Sequence, residues 1–176
     1  YILCHGVYSW VPDVVKAHIL SIAKANLEPN GVAYVSYNTY PGWRMRSMLR
    51  DMMSFHSERF ESPKEKVAQA RGLLGFLGQA VTTQGGIYGA FLKQEVETFK
   101  HLSDHYLYHE YLEEVNEPTY FFEFSQRAQS HGLQYLGESD FGSMSASNFP
   151  REVELTLQRV APNLIQMEQY MDFLRN

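Results

Sequence analysis

The first part of the chain places an amphipathic segment between two short apolar runs. Residues 1–4 look like a strand, and residues 32–37 form a second apolar run rich in β-forming side chains. Between them, apolar residues recur at helical spacing over residues 14–27, after Pro12-Asp13 as a helix start and before Pro29-Asn30-Gly31 as a stop. This order predicts a β-α-β unit whose two strands are parallel neighbours.

Polar and aromatic loops follow both predicted strands, at residues 5–12 and 38–43. Because ligands of parallel sheets bind outside the carboxyl ends of the strands, we expect functional side chains at this edge. The candidates are His5, Tyr8, Trp10, Asn38, Tyr40 and Trp43. A structural role stays open, since Tyr8 and Trp10 would also cover the sheet end and Pro41-Gly42 is an ordinary turn pair.

Residues 44–101 have a different pattern, with apolar stripes that predict three successive helices. The first ends near residue 60, the second starts at Ser62-Pro63, and the third follows a break at Gly85-Gly86. These helices form a cluster inserted into an α/β chain. The cluster is too small for an independent core, so we expect it to bury its stripes on the sheet half or on a second copy.

The C-terminal part returns to an α/β pattern after a segment rich in His, Tyr and Glu at residues 105–118. A helix is predicted over residues 119–131, followed by Gly132 and a short alternating strand at residues 133–136. A Ser/Gly-rich loop precedes two last helices, at residues 150–160 and 163–174. The expected fold class is α/β, with about three strands and an inserted helical subdomain.

Composition narrows the range of functions. The net charge of −5 and the pI near 5.8 give no electrostatic footprint for nucleic acid, and no apolar run is long enough for a membrane span. Cys4 is the only cysteine, so no internal disulfide is expected, and the absence of a signal-peptide pattern makes the cytoplasm the expected compartment.

Three histidines, His101, His105 and His109, are spaced four residues apart, with Glu113 four further on. On one continuous helix these side chains would share a face and could bind a metal. Spacing of this kind also arises by chance, and we assign no metal site.

Several longer strings resemble a known family. Residues 1–38, YILCHGVYSW to VSYN, resemble the fourth strand, helix and fifth strand of class I S-adenosylmethionine-dependent methyltransferases. Together with NTYPGW, YLYHEYLEEVNEP and FSQRAQSHGLQYLGES, they are similar to bacterial proteins that carry a methyltransferase regulatory domain, including protein-lysine methyltransferases. The glycine-rich turn and the ribose-binding acidic residue of that family are absent, so the resemblance implies the C-terminal half of such an enzyme.

The resemblance implies a partial Rossmann-like sheet and a division of the chain. Residues 1–43 would belong to the methyltransferase core, residues 44–117 to a helical regulatory insertion, residues 118–148 to a core helix and strand, and residues 149–176 to C-terminal helices. S-adenosylmethionine would lie against Cys4, His5, Gly6 and Val7, with Tyr8 and His109 in catalysis. Trp10, Asn38, Tyr40, Trp43 and Glu110 would face the substrate. We expect Tyr8 and Trp43 to lie at the site and not in the core.

Two functions from different classes follow. The leading hypothesis is part of an S-adenosylmethionine-dependent methyltransferase that acts on a protein substrate at lysine side chains. The alternative is a non-catalytic helical module for regulation or homodimerisation. A strand followed by a Gly-x-Gly turn upstream of Tyr1 would separate the two, because only the enzyme needs it.

Overall fold

The computed structural model describes residues 1–81 and 86–175, and the chain opens with a parallel β-α-β unit. Strands β1 (Ile2–Cys4) and β2 (Ala33–Val35) pair in parallel, with Ile2 opposite Ala33 and Cys4 opposite Val35. Helix α1 (Asp13–Asn26) connects them and buries Leu20 and Ala23. The predicted pairing of parallel neighbours is therefore confirmed.

The expected third strand is wrong. Residues 133–136 are not a strand, and the sheet of the described residues has two strands. An alternating pattern makes a strand only when a neighbouring strand accepts its backbone hydrogen bonds. Here the segment is flanked by Gly132 and Gly137, Leu136 is 64% exposed, and the Tyr135 hydroxyl donates to Glu138 at 2.7 Å.

The loop after β2 pairs with another segment through an isolated β-bridge. Thr39 and Thr119 form an isolated parallel bridge, in which the Thr119 N–H donates to the Asn38 carbonyl and the Tyr40 N–H donates to the Thr119 carbonyl, both at 3.1 Å. Helix α6 (Phe121–Ser130) follows this bridge directly. The Glu123 carboxylate caps its start by accepting from the Tyr120 N–H at 3.1 Å.

The chain divides into two compact units. The first, here called the sheet unit, comprises Tyr1–Trp43 and the chain from Glu117 onward; the second, the helical unit, is Arg44–Asn116. The assignment of these ranges to a methyltransferase core and a regulatory insertion stays a prediction.

Apart from α1, the helices of the sheet unit are α6 (Phe121–Ser130), α7 (Arg151–Val160) and α8 (Leu164–Arg175). Three turns of 3-10 helix lie at Tyr8–Trp10, Phe141–Met144 and Ala146–Asn148. These ranges match the helices predicted from the C-terminal pattern within a few residues. The protein is mostly helical, at 66% of the residues.

Four helices build the helical unit. They are α2 (Trp43–Ser57), which starts at the last residue of the sheet unit, α3 (Pro63–Val81), α4 (Gly86–Lys100) and α5 (Asp104–Tyr111). The three predicted helices are confirmed, and the segment rich in His, Tyr and Glu contains the fourth. Of the expected break at Gly85-Gly86, Gly85 lies outside the described residues.

The helical unit has its own core, so the expectation that it is too small for one is wrong, and two partly buried arginines bind its backbone. Leu49, Met53, Ala70, Leu92 and Leu107 are each completely buried in one cluster. Arg71 donates to the carbonyls of Phe99 and Leu102 at 2.8 and 2.6 Å, and Arg50 donates to the Tyr111 carbonyl at 2.9 Å. These guanidinium groups satisfy carbonyls at and beyond helix ends, where no helical partner remains.

Among the helices of the described residues, none is both long and apolar enough to cross a lipid bilayer.

The core of the helical unit gives a matched pair of stability predictions. Leu49→Ala should lower the free energy of unfolding by about 2–5 kcal/mol, since it empties a fully buried site. Phe55→Ala on the same helix should change it by less than about 0.5 kcal/mol, because that ring is 83% exposed. Urea denaturation followed by far-UV circular dichroism measures both. Equal losses for the two variants would show that Phe55 is buried in solution.

Candidate functional site

The carboxyl ends of β1 and β2 meet through a cluster of His5, Gly6 and Ser36. The Ser36 hydroxyl lies 2.8 Å from the His5 Nδ1 atom and accepts the Gly6 N–H at 2.8 Å. Gly6 has φ of +67°, in the left-handed region that side chains disfavour, and a Cβ there would meet no atom within 4 Å. The loop after β1 is therefore fixed to the end of β2 while its outer side stays open.

Ser9 joins three separate parts of the sheet unit. Its Oγ accepts the Asn38 N–H at 2.8 Å, and its carbonyl accepts the Glu117 N–H at 2.8 Å. Ser9 itself is 1% exposed, so these bonds are shielded from water. The loop after β1, the loop after β2 and the segment that returns from the helical unit are thus tied to one residue.

A buried lysine reinforces the same junction. The side chain of Lys16 on α1 is 4% exposed and makes a short ion pair with the Glu117 carboxylate. Its second partner is Asp13 at 3.4 Å, and Asp13 also pairs with Arg127 of α6 at 3.0 Å. A buried ammonium group is stable only when it is paired, so Lys16 strongly favours this position of Glu117.

Two predicted site residues are more deeply buried than expected. Tyr8 is 1% exposed and Trp43 is 6% exposed, so the expectation that they lie outside the core is wrong. Tyr8 sits in the 3-10 turn and packs edge-on against Phe124, with ring centroids 5.2 Å apart, while Trp43 packs edge-on against Trp10 at 6.4 Å. The reason is that the 3-10 turn carries Tyr8 inward against Phe124, while Trp43, the first residue of α2, packs against Trp10 of the same turn.

The Tyr8 hydroxyl is nevertheless chemically unusual. It is buried and makes no well-formed hydrogen bond to the described residues. Burial raises the pKa of the Tyr8 phenol, against the opposing effect of the nearby Arg127 guanidinium. The phenol therefore stays neutral at physiological pH. Its catalytic role stays a prediction.

The predicted cofactor residues lie at the open side of this edge. His5 and Gly6 are exposed, Val7 is 42% exposed, and Cys4 is partly buried. Burial raises the pKa of the Cys4 thiol, so it stays protonated at neutral pH. An exposed backbone with a glycine that leaves open space admits close approach of a ligand, and these residues fit one wall of a cofactor site.

A cavity of about 340 Å³ lies beside the second loop, lined by Thr39, Tyr40, Pro41, Gly42, Asp172 and Arg175. Arg175 is held in place by Asp172 at 2.8 Å and by the Ser143 carbonyl at 2.7 Å. The Tyr40 ring packs against Tyr120, with centroids 5.3 Å apart. Tyr40, a predicted substrate contact, therefore borders a cavity that carries both a carboxylate and a guanidinium group.

The other predicted residues belong to the helical unit. His109 and Glu110 lie on α5, and His109 Nδ1 is 4.0 Å from the Glu113 carboxylate. Burial raises the pKa of Glu110, and the charges of His109 and Arg46 oppose this shift. His101 follows α4 and is not on the helix of His105 and His109, so the shared face does not exist. In the described part of the chain, no group of three or more His, Cys, Asp or Glu residues could hold a metal ion.

Sequence reasoning missed Ser9, Lys16, Ser36 and Glu117, which organise the site. Ser36 could have been found, because it is the polar residue near the end of the predicted strand at residues 32–37. Lys16 and Glu117 are separated by 101 positions, and no local pattern signals their pairing.

Ser9 yields a prediction about the junction. Ser9→Ala removes the acceptor of the Asn38 N–H in a buried place and should lower the free energy of unfolding by about 1–3 kcal/mol. Ser21→Ala, at an exposed position of α1, is the matched control and should leave stability within about 0.5 kcal/mol. Thermal and urea unfolding measure both. An unchanged Ser9→Ala variant would contradict the role of this junction.

Tyr8→Phe separates packing from chemistry. The ring contacts persist and a poorly bonded buried hydroxyl disappears, so the free energy of unfolding should stay within about 1 kcal/mol of the unsubstituted protein. If the hydroxyl takes part in catalysis, turnover of the full-length protein should fall at least about tenfold, which is about 1.4 kcal/mol of barrier. Unchanged turnover in a stably folded variant would assign Tyr8 to packing alone.

Comparison with known proteins supports the expected family. Residues 103–176 match the family model of the predicted methyltransferase regulatory domain. This range overlaps the predicted insertion at residues 44–117 only from residue 103 onward and includes α5 to α8.

Relatives extend the likeness over the remaining residues. The uncharacterized protein RP789 of Rickettsia prowazekii is 43% identical over 176 residues, which are all of this chain and 32% of that protein. A second uncharacterized protein of the same organism, RP028, is 43% identical over 136 residues, 77% of this chain and 54% of its own length. The chain thus spans between about a third and a half of these two relatives.

Solved structures show the same fold. PKMT2 from Rickettsia typhi is 42% identical with a TM-score of 0.84, over 99% of this chain and 32% of PKMT2. Its complex with AdoHcy gives a TM-score of 0.85 at 41% identity, over 100% of this chain and 33% of that protein. The expected resemblance is confirmed: residues 103–176 match the methyltransferase regulatory domain model, and the chain as a whole is similar to about a third of PKMT2.

Proposed function

We propose that the protein containing this chain is an S-adenosylmethionine-dependent methyltransferase, and that the carboxyl edge of β1 and β2 forms one wall of its cofactor site. The observation that carries the proposal is the likeness to PKMT2 in complex with AdoHcy, the product form of this cofactor, at a TM-score of 0.85. The exposed backbone of His5 to Val7 at that edge supports it. When bound, S-adenosylmethionine would supply the methyl group from its electrophilic sulfonium, and AdoHcy would be left after the transfer.

The residues of this chain would bind the cofactor, orient the reacting groups and exclude water from the site. Cys4, His5, Gly6 and Val7 would contact the cofactor, and Tyr8 would place its neutral hydroxyl beneath them. Trp10, Asn38, Tyr40 and Trp43 would form the neighbouring wall, with Tyr40 beside the cavity that faces the acceptor. In methyl transfer, the protein contributes mainly by ordering the reactants in a site that excludes water.

The acceptor we infer is a lysine side chain of a protein, because the chain is similar to PKMT2 over its whole length. His109 and Glu110 of the helical unit are proposed on the substrate side, where a carboxylate and an imidazole would favour a positively charged lysine and accept its proton. The proposal includes a cytoplasmic location, in keeping with the single cysteine of these 176 residues, which can form no disulfide among them.

One observation favours the second candidate, a regulatory or homodimerising module without its own chemistry. The helical unit exposes large apolar side chains, including Phe55 at 83%, Phe76 at 64% and Ile87 at 91%. A contiguous apolar patch is typical of surfaces that contact another protein, and these side chains would serve the module if they form one. Both functions can coexist in one protein, and cofactor binding separates the enzyme from the module.

Cofactor binding is the direct test of the proposal. The full-length protein should bind S-adenosylhomocysteine with micromolar affinity in isothermal titration calorimetry. The isolated 176-residue chain should not, because the glycine-rich turn of the family is absent from it. Circular dichroism of the isolated chain is the control for folding. Micromolar binding by the isolated chain would mean that its residues complete the site, and no binding by the full-length protein would favour the module.

A further inference from the structure

The Ser36 hydroxyl is the centre of a small hydrogen-bonded unit at the end of β2. It lies 2.8 Å from the Gly6 nitrogen and 2.8 Å from the His5 Nδ1 atom. Gly6 is a backbone donor, so its N–H fixes one lone pair of Oγ. The remaining question is which of Ser36 and His5 carries the shared proton.

The proton count favours the serine as donor. Within the parts of the chain that the structure describes, His5 Nδ1 is the one acceptor within reach of the Ser36 hydroxyl. If Nδ1 carried the proton instead, the Ser36 O–H would have to turn away from both partners. A neutral imidazole that accepts at Nδ1 carries its proton at Nε2. In the Nε2–H tautomer of His5 the Ser36 hydroxyl accepts from Gly6 and donates to Nδ1, whereas in the other tautomer its proton would point to solvent.

The neighbours of the His5 ring also restrict its orientation. The His5 ring lies beside Tyr34 of β2, with centroids 6.0 Å apart, and its residue is exposed at the carboxyl edge. Gly6 next to it leaves open space on the outer side of the loop. The donor at Nε2 is thus available to a ligand that lies along this edge.

We propose that His5 binds the cofactor as a neutral hydrogen-bond donor through Nε2–H, and that Ser36 is the positioning residue that fixes its tautomer. This inference rests on the proposed function. It names the ligand group as a hydrogen-bond acceptor, such as a carboxylate or hydroxyl oxygen of the cofactor. In this tautomer the basic nitrogen of His5 faces Ser36, so His5 would not accept the proton of the acceptor amine.

Two pairs of variants in the full-length protein test the proposal, with S-adenosylhomocysteine as the probe in titration calorimetry. His5→Gln keeps an N–H donor near the Nε2 position and should bind within about threefold of the unsubstituted protein. His5→Asn carries its amide near the Nδ1 position and should bind about tenfold more weakly, which corresponds to about 1.4 kcal/mol. Ser36→Thr keeps the hydroxyl and should bind normally, whereas Ser36→Ala should bind several-fold more weakly.

A second measurement does not depend on the ligand. Nitrogen-15 NMR of the histidine side chains, assigned with the His5→Gln variant, reports the tautomer directly. The proposal predicts the Nε2–H form in the unsubstituted protein and a mixture of tautomers in Ser36→Ala. A predominant Nδ1–H form, or equal loss of affinity in His5→Gln and His5→Asn, would overturn it.

Failure of the proposed function and failure of the donor role of His5 give different results. If the full-length protein does not bind S-adenosylhomocysteine at all, the proposed function is overturned together with the donor role of His5. If it binds but His5→Gln and His5→Asn lose equal affinity, only the donor role is overturned and the cofactor site stands.

Discussion

The structure depends on how one segment, residues 117–119, is held against the carboxyl edge of the sheet. Ser9 binds its backbone, Lys16 binds the side chain of Glu117, and Thr39 pairs with Thr119. Because the Lys16 ammonium is buried, displacing Glu117 would leave it with only its longer ion pair to Asp13. The chain therefore leaves the sheet unit after the second loop and re-enters it beside that same loop.

This constraint explains why the site residues meet. The exit through Tyr40 to Trp43 and the return at Glu117 to Thr119 lie side by side, so an excursion of more than seventy residues begins and ends at one edge of the sheet. That edge is the part of a parallel sheet where ligands bind. Both connections of the helical unit therefore lie beside the proposed cofactor wall.

Local patterns were sufficient for part of the fold. The apolar runs around α1, with proline and glycine at its borders, predicted the parallel strands, and the stripes after Trp43 predicted three helices. The prediction of a strand at residues 133–136 was wrong because the alternating hydrophobic pattern depends on local sequence, whereas strand pairing depends on residues far away in the chain. The burial of Tyr8 was missed because a 3-10 turn after β1 leaves no periodic signal, and the Lys16–Glu117 pair was missed because only the fold brings its partners together. Most residues predicted for the site lie at the carboxyl edge of the sheet, and their binding role stays a prediction. The polar residues that organise that edge came from the structure.

The most direct test of the account is a crystal structure of the full-length protein with S-adenosylhomocysteine. The account predicts the ligand at the carboxyl ends of β1 and β2, against the backbone of His5 to Val7 and with His5 Nε2 within hydrogen-bond distance. A ligand bound away from this edge, or at the amino ends of the strands, would contradict it.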